Sequence, residues 1–337
     1  MATRLLQREA HRIVPISCLP SDRGACNRLC TMRIATLNVQ TLRLLHTENI
    51  PHLHGAWDSD DPEVEALDPI DRRLTAKLIR DVDADVVVLQ EVFDLETLEY
   101  FHDNYLLTTG MQPYLHRICL PGNDGRGLDV ALLSRRRVDA VKSHATLTPD
   151  KLDLVPPAAV NPDLPVFRRD CLMVTIGRVT LFACHFKSAY PDPEAAWATR
   201  RLEALATRRI IERQFRASEH ALWLIIGDLN EPDSTGEDGT RAIRPLEAGF
   251  SIDLMQRLPV TDRWTYYDRH SGKYHCPDAL LASPALARLW PDAKPVIVRK
   301  GLGTDSDHGG APRYAQVGRN RPHASDHAAV VVDLEGL

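Results

Sequence analysis

Five short polar groups stand where apolar, strand-like runs of this chain stop. They are Thr36-Leu37-Asn38, Leu89-Gln90-Glu91, His185-Phe186-Lys187-Ser188, Gly227-Asp228-Leu229-Asn230 and Ser325-Asp326-His327. They adjoin runs such as Val86-Val87-Val88-Leu89 and Leu224-Ile225-Ile226, which read as buried strands. Charged and amide groups beside a buried strand lose hydration that only a partner can replace. Five such groups in one chain point to a shared pocket, and their residue types suit metal-assisted hydrolysis of a phosphoester.

The chain has 337 residues and 44% hydrophobic content, enough for a substantial core in one large α/β sandwich or in two domains. Its 41 basic and 46 acidic residues give a net charge of −5. That balance argues against retention on polyanions by bulk charge and leaves room for a local basic rim. No apolar run approaches the ~20 residues of a membrane span, so integral membrane association is not expected. Residues 1–31 lack the apolar centre of a secretory signal and are broken by Arg4, Arg8, Arg12 and Arg23. A poorly structured leader is expected there, followed by one domain over residues 32–337. Seven cysteines without a C-x2-C pair read as reduced thiols of a cytoplasmic protein, although Cys18, Cys26 and Cys30 lie close enough to suggest a metal or redox cluster.

The recurring unit is a short apolar strand, a polar tip, then a helix or loop. Strands are expected at Met32–Leu37, Asp85–Leu89, Val130–Leu133, Cys171–Ile176, Val179–His185, Ala221–Ile226, Ala279–Leu281 and Ala328–Leu334. Helices are expected at Ile70–Asp81, Asp94–Leu107 and Pro193–Phe215. In the last, Ala198, Leu202, Leu205 and Ala206 form one apolar face, and Arg200, Arg201, Arg208 and Arg209 read as a solvated one. Asp58–Asp68 reads as a solvated acidic loop, Val141–Pro165 as a Pro-rich excursion, and the Gly/Pro/Arg-rich stretch before Ala324 as a surface loop. Strands alternating irregularly with helices and long loops suggest mixed sheets covered by helices.

The polar groups divide by chemistry. Glu91 emerges from a buried run, where only a cation or a metal offsets its desolvation; an arginine salt bridge is the plainer alternative. Asn38 offers a neutral oxygen to a hard cation, or simply forms a turn. Asp228 and Asn230 are two residues apart and project to one side of an extended stretch. They can orient a water and a phosphate oxygen, or merely end a strand in an Asx turn. His185 and Lys187 likewise share a face that looks anion-facing. Asp326 and His327 can reach one pocket only where the strand begins irregularly. Ser306-Asp307-His308 repeats their tripeptide, but Ala328-Ala329-Val330-Val331-Val332 follows the second copy alone, which favours residues 325–327.

Taken in this order, the groups resemble the endonuclease/exonuclease/phosphatase superfamily, which includes deoxyribonuclease I and the abasic-site endonucleases. Two further segments extend the likeness from Met32 to Leu334: Gly127-Leu128-Asp129-Val130-Ala131-Leu132-Leu133-Ser134 and Asp278-Ala279-Leu280-Leu281-Ala282-Ser283-Pro284. The resemblance implies a four-layer α/β sandwich of two packed mixed β-sheets flanked by helices. It implies Asn38, Glu91 and Asp326 as holders of Mg2+, with Mn2+ as a substitute. It also implies His185 and Asn230 at the transition state, Asp228 on the water, and Asp278 orienting His327. Asp129 would steer His185. Arg169 is a candidate phosphate-facing arginine, or else pairs with Asp170 at the surface, and Lys187 is a candidate support for substrate. Cys276-Pro277 before Asp278, and Ala279 after it, depart from the family pattern.

The leading expectation is a nuclease or phosphodiesterase with a nucleic-acid substrate. The alternative is a phosphatase or phosphodiesterase of an inositol phosphate or phospholipid headgroup. A catalytically inactive binding module of the same fold is a third reading, against which Glu91, Asp228 and His327 are all present.

Overall fold

Alternation along the strands determines the layering. Val86 and Val88 enter one core while Val87 and Leu89 enter another. Leu181 and Ala183 face away from Phe182, and Leu224 and Ile226 away from Ile225. Strands apolar on both faces need cover on both. The computed structural model describes residues 31–57, 65–231, 239–247, 249–307 and 310–337. Residues 1–30, with Cys18, Cys26 and Cys30, lie outside the described residues, as do most of the acidic loop and His308.

Among the described residues, one sheet has the order β15-β16-β1-β4-β6-β5. Its strands are β1 (Thr31–Leu42), β4 (Val86–Val92), β5 (His116–Cys119), β6 (Asp129–Ser134), β15 (Val296–Val298) and β16 (Ala329–Glu335). The other has the order β11-β14-β10-β9-β8-β7. It comprises β7 (Ala140–Lys142), β8 (Cys171–Ile176), β9 (Val179–His185), β10 (Trp223–Asp228), β11 (Ile252–Asp253) and β14 (Asp278–Ala282). Two hairpins stand apart: β2 (Leu44–Thr47) with β3 (Ile50–Leu53), and β12 (Tyr266–Asp268) with β13 (Lys273–His275). Ile34, Val88, Leu132, Leu181, Ile226 and Val332 fill the space between the sheets.

Helix α1 (Asp68–Val82) covers the outer face of the first sheet with Leu74, Leu78 and Ile79, beside α2 (Leu95–Phe101). Helix α3 (Pro193–Gln214) covers the second with Leu202, Ala206 and Ile210. A short α4 (Pro284–Leu289) is capped by Ser283, whose hydroxyl accepts the Leu286 N–H. Helix, sheet, sheet, helix is the expected four-layer sandwich. No helix among the described residues is long and apolar enough to cross a membrane. Cys119, Cys171 and Cys184 are buried free thiols, and Cys276 is a partly exposed one.

Several local expectations need correction. Asp68 is no solvated loop residue; it is buried at the start of α1, bound by Trp57 Nε1 at 2.6 Å and Arg321 at 2.9 Å. The Gly/Pro/Arg-rich stretch is not all surface either, because Arg321, His323 and Ala324 pack onto α1 through Asp71 and Thr75. The helix expected to reach Leu107 stops at Phe101, and a wider turn over His102–Leu106 directs His102 inward to accept the Tyr114 N–H. Arg200 is only 1% exposed, since α3 lies across the loops that follow β9 and β10.

The polar groups also do not wait for the strands to end. β1 runs past Asn38 to Leu42 and β4 past Glu91 to Val92, each with a register shift at the polar residue. Gln40, Thr41 and Glu91 have φ of 48°, 53° and 66° there. Such bulges re-aim side chains, and left-handed backbone at non-glycine residues is a strain the surrounding structure must hold.

Candidate active site

Topology brings the polar groups to one end of the sandwich. β1 and β4 run parallel, as do β9 and β10, so Asn38, Glu91, His185 and Asp228 leave their strands on the same side. β14 and β16 are antiparallel to these, so Asp278 and the Asp326-His327 pair enter their strands there. Asp228 is in direct register with both His185 and Asp278.

Gly227 makes the approach of β9 to β10 possible. It has φ of 137°, and a Cβ there would lie 2.0 Å from the Cys184 carbonyl oxygen. Asp228 follows, 1% exposed. Its Oδ1 accepts the Asn230 N–H at 2.8 Å, an Asx turn, while Oδ2 faces the pocket. Asn38 Nδ2 donates to that Oδ2 at 3.2 Å and to Glu91 Oε1 at 3.3 Å. His185 Nε2 is 3.6 Å from the same Asp228 oxygen and His327 Nε2 is 3.9 Å from it. One carboxylate oxygen is thus ringed by an amide and two imidazoles.

The pKa values of the two histidines are shifted in opposite directions. His185 is pulled well below its ordinary pKa by burial, then by Arg169, His327 and Arg126. For His327 burial acts the same way, but Asp278, by charge and hydrogen bond, with Asp326 and Asp228, raises it well above the ordinary value. Its Nδ1 sits 2.9 Å from Asp278 Oδ2, which also accepts from Thr265 Oγ1. Tyr266 packs over the His327 ring with centroids 5.0 Å apart. Burial, with Asp278 assisting and His327 opposing, pushes Asp228 up to about 6.

On the other flank, Glu91 Oε2 accepts the Thr41 N–H at 2.9 Å, and Asn38 Oδ1 accepts the Gln40 N–H at 2.9 Å. Ser325 Oγ donates to Asn38 O at 2.6 Å and so ties the segment entering β16 to the neighbouring β1. The pKa of Asp326 is raised by burial and, against the pull of His327, by the charge of Glu91. Glu91, whose charge hinders the ionisation of Asp326, and Asp326 itself offer carboxylate oxygens suited to Mg2+ or Mn2+, while Asn38 turns its Nδ2 to Glu91 and its Oδ1 to Gln40 N. Among the described residues no three His, Cys, Asp or Glu side chains group so as to hold a metal alone.

Three supporting residues lie elsewhere than expected. Asp129 is not hydrogen-bonded to His185 through these atoms: among the described residues neither Asp129 Oδ1 nor His185 Nδ1 has a hydrogen-bond partner. Arg169 and Asp170 are both buried rather than paired at the surface. Arg169 pairs with Asp124 at 3.1 Å and donates to Phe186 O at 3.2 Å, while Asp170 accepts the His144 N–H. The Lys187 ammonium folds back on the carbonyls of Ser188 and Tyr190 instead of facing the pocket. Of the two Ser-Asp-His copies, residues 325–327 line the site, whereas Asp307 is exposed and caps the turn at Gly310 and Ala311.

Sequence reasoning missed a buried frame behind the metal-side residues. The Arg72 guanidinium, fully buried, donates to the carbonyls of Val39, Gln40, His54 and Gly55. Asp71 accepts from Ala56 N, His323 N and Arg321, and His323 Nε2 lies 2.9 Å from Gln40 Oε1. Little in the sequence signals it, since Asp71 and Arg72 stand among Asp68, Arg73, Lys77, Arg80 and Asp81 in one helix.

The family model for the endonuclease/exonuclease/phosphatase family matches residues 35–327. The chain belongs to this family. No curated protein matches the sequence significantly. Among solved structures, a truncated TDP2 from Caenorhabditis elegans is 15% identical, with a TM-score of 0.51 over 90% of this chain and 98% of that one. An AP endonuclease from Archaeoglobus fulgidus is 14% identical, with a TM-score of 0.56 over 91% and 100%. A family protein from Beutenbergia cavernae is 17% identical, with a TM-score of 0.55 over 91% and 72%. At these identities the likeness to the endonuclease/exonuclease/phosphatase structures is one of fold, and it agrees with the four-layer sandwich.

Proposed function

We propose that the protein is a Mg2+-dependent phosphoester hydrolase that cleaves phosphodiester bonds of nucleic acid by in-line attack of water. The observation that carries the reading is Asp228 Oδ2, which faces the Nε2 atoms of His185 and His327 at 3.6 and 3.9 Å. Two imidazoles whose pKa values are pushed in opposite directions beside one carboxylate can divide acid, base and donor roles.

In this reading Asp228 holds the attacking water and takes its proton; burial keeps the carboxylate basic enough to do so. His327, oriented by Asp278, presents a charged Nε2–H to a phosphate oxygen, where charge grows in the transition state. His185 adds a neutral donor from the other side. Asn230 is fixed by Nδ2 on Phe186 O at 3.1 Å, and its second amide hydrogen is available to the phosphate. Glu91 and Asp326 with Asn38 would hold Mg2+ or Mn2+, which when bound supplies positive charge for the phosphate and leaving oxygens. Family membership supports phosphoester hydrolysis, and the AP endonuclease among the similar structures supports a polynucleotide.

The test is a substrate panel with Mg2+ and with chelator: plasmid, single-stranded and abasic DNA, RNA, inositol phosphates and sphingomyelin. Metal-dependent turnover of a nucleic acid is expected. Turnover confined to the lipid or inositol substrates would replace the nuclease reading, and none on any substrate would remove the hydrolase reading.

A further inference from the structure

We propose that Glu203 and Arg200, one turn apart on α3 and away from the pocket, are positioning residues that clamp the Lys187 peptide and thereby fix His185 and Asn230. This rests on the phosphoester reading given above.

Glu203 is 0% exposed, and each of its carboxylate oxygens accepts a backbone N–H. Arg168 N lies 3.0 Å from Oε1 and Lys187 N 2.8 Å from Oε2. Arg200 is 1% exposed, and its Nη1 donates to Lys187 O at 2.9 Å. One residue, Lys187, is therefore held by its N–H from one α3 residue and by its C=O from another, which fixes the peptide groups on both sides of it, from a single helix face. The residue before it is held as well: Phe186 N donates to Asp228 O at 2.9 Å, and Phe186 O accepts from Arg169 and Asn230. Arg200 continues to Glu231 at 3.8 Å, whose carboxylate accepts the N–H groups of Ala242 and Ile243.

Stability alone does not account for this arrangement. Burying a carboxylate and a guanidinium is costly, and apolar side chains of similar volume often serve a fold as well or better. What apolar side chains cannot supply is two acceptors and a donor aimed at specified backbone groups. Those groups lie two residues after His185 and one before Arg169. Small displacements of a reacting group are expensive: ~1 Å costs roughly 100-fold in rate.

The informative change is Glu203→Gln, which keeps the shape but places an NH2 against one of the two N–H groups. Activity is read on a chromogenic phosphodiester with Mg2+, with the Mg2+-induced thermal shift and the histidine ring NMR signals read alongside. The His185 signal is assigned by its loss in His185→Asn. The expected result is kcat lower by about 10- to 100-fold with KM nearly constant. The His185 signal moves, the His323 signal stays, and the Mg2+ shift persists because the metal-side residues hang from the other sheet. Wild-type kcat with an unmoved His185 signal overturns the proposal. So does a general loss in which every histidine signal and the Mg2+ response change together. Should Glu203→Gln fail to fold, Arg200→Lys is read by the same measurements, with the same two outcomes overturning the proposal. Absence of hydrolysis by the wild type would remove the functional reading, while the His185 signal would still report on the clamp.

Discussion

His327 Nδ1 lies 2.9 Å from Asp278 Oδ2 across a 49-residue separation. It is also a link between sheets, since Asp278 opens β14 of one and His327 leads into β16 of the other. Against the burial that lowers its pKa, the Asp278 charge and hydrogen bond, with the charges of Asp326 and Asp228, raise this imidazole well above its ordinary value. Asp278→Asn keeps the shape and removes the charge. We expect kcat to fall by about 100- to 10,000-fold. The His327 ring, followed by NMR titration, should lose its proton at lower pH than in the wild type.

Gly227 is required by contact and by backbone angle at once. Gly227→Ala places a methyl against the Cys184 carbonyl at φ of 137°. Strain of this kind alone costs ~1–3 kcal/mol, and the clash adds to it. Urea unfolding should show the midpoint falling by an amount worth at least about 2 kcal/mol with an unchanged m-value.

The buried frame on α1 should be sensitive to loss of one partner. Arg321→Met leaves Asp71, which is 0% exposed, without the guanidinium that pairs with it. Stranding a buried charge costs about 3–5 kcal/mol. Adding Asp71→Asn should recover part of the loss, and a double-mutant cycle in urea measures how much.

His323 makes the fold acid-sensitive in a specified window. Burial, with Arg269 assisting, lowers its pKa to about 3, so the native state keeps it neutral while the unfolded chain takes up a proton at about pH 6.5. The unfolded state then binds the extra proton between these values, and stability falls as pH falls through that window. The contribution is roughly 1.4 kcal/mol per pH unit. Between about pH 6 and about pH 5, wild-type stability should drop about 1 kcal/mol more than that of His323→Gln.

Much of the site was legible because a polar residue next to a β-run must be explained, whatever its partner. Asn38, Glu91, His185, Asp228, Asp278, Asp326 and His327 all come to one sandwich end, and the period-two runs indicated both cores. Bulges were not legible. Nothing in Thr36-Leu37-Asn38 announces that the strand continues to Leu42 through two left-handed residues. Long-range burial of charge was hidden for a related reason. Arg200 and Asp68 look solvated in isolation, and only the packing of α3 and α1 over distant loops buries them. Lys187 was misplaced because a long side chain can turn back on its own loop, which strand alternation does not reveal.

Asp228, proposed to act on the attacking water, is probed by Asp228→Asn. Its side chain keeps the volume and loses the base. Single-turnover cleavage of the best substrate in the panel should be measured with saturating Mg2+ beside the wild type, with folding checked by circular dichroism. A fall of about 100- to 10,000-fold in the folded variant is the predicted result. A rate within a few-fold of the wild type would contradict the account.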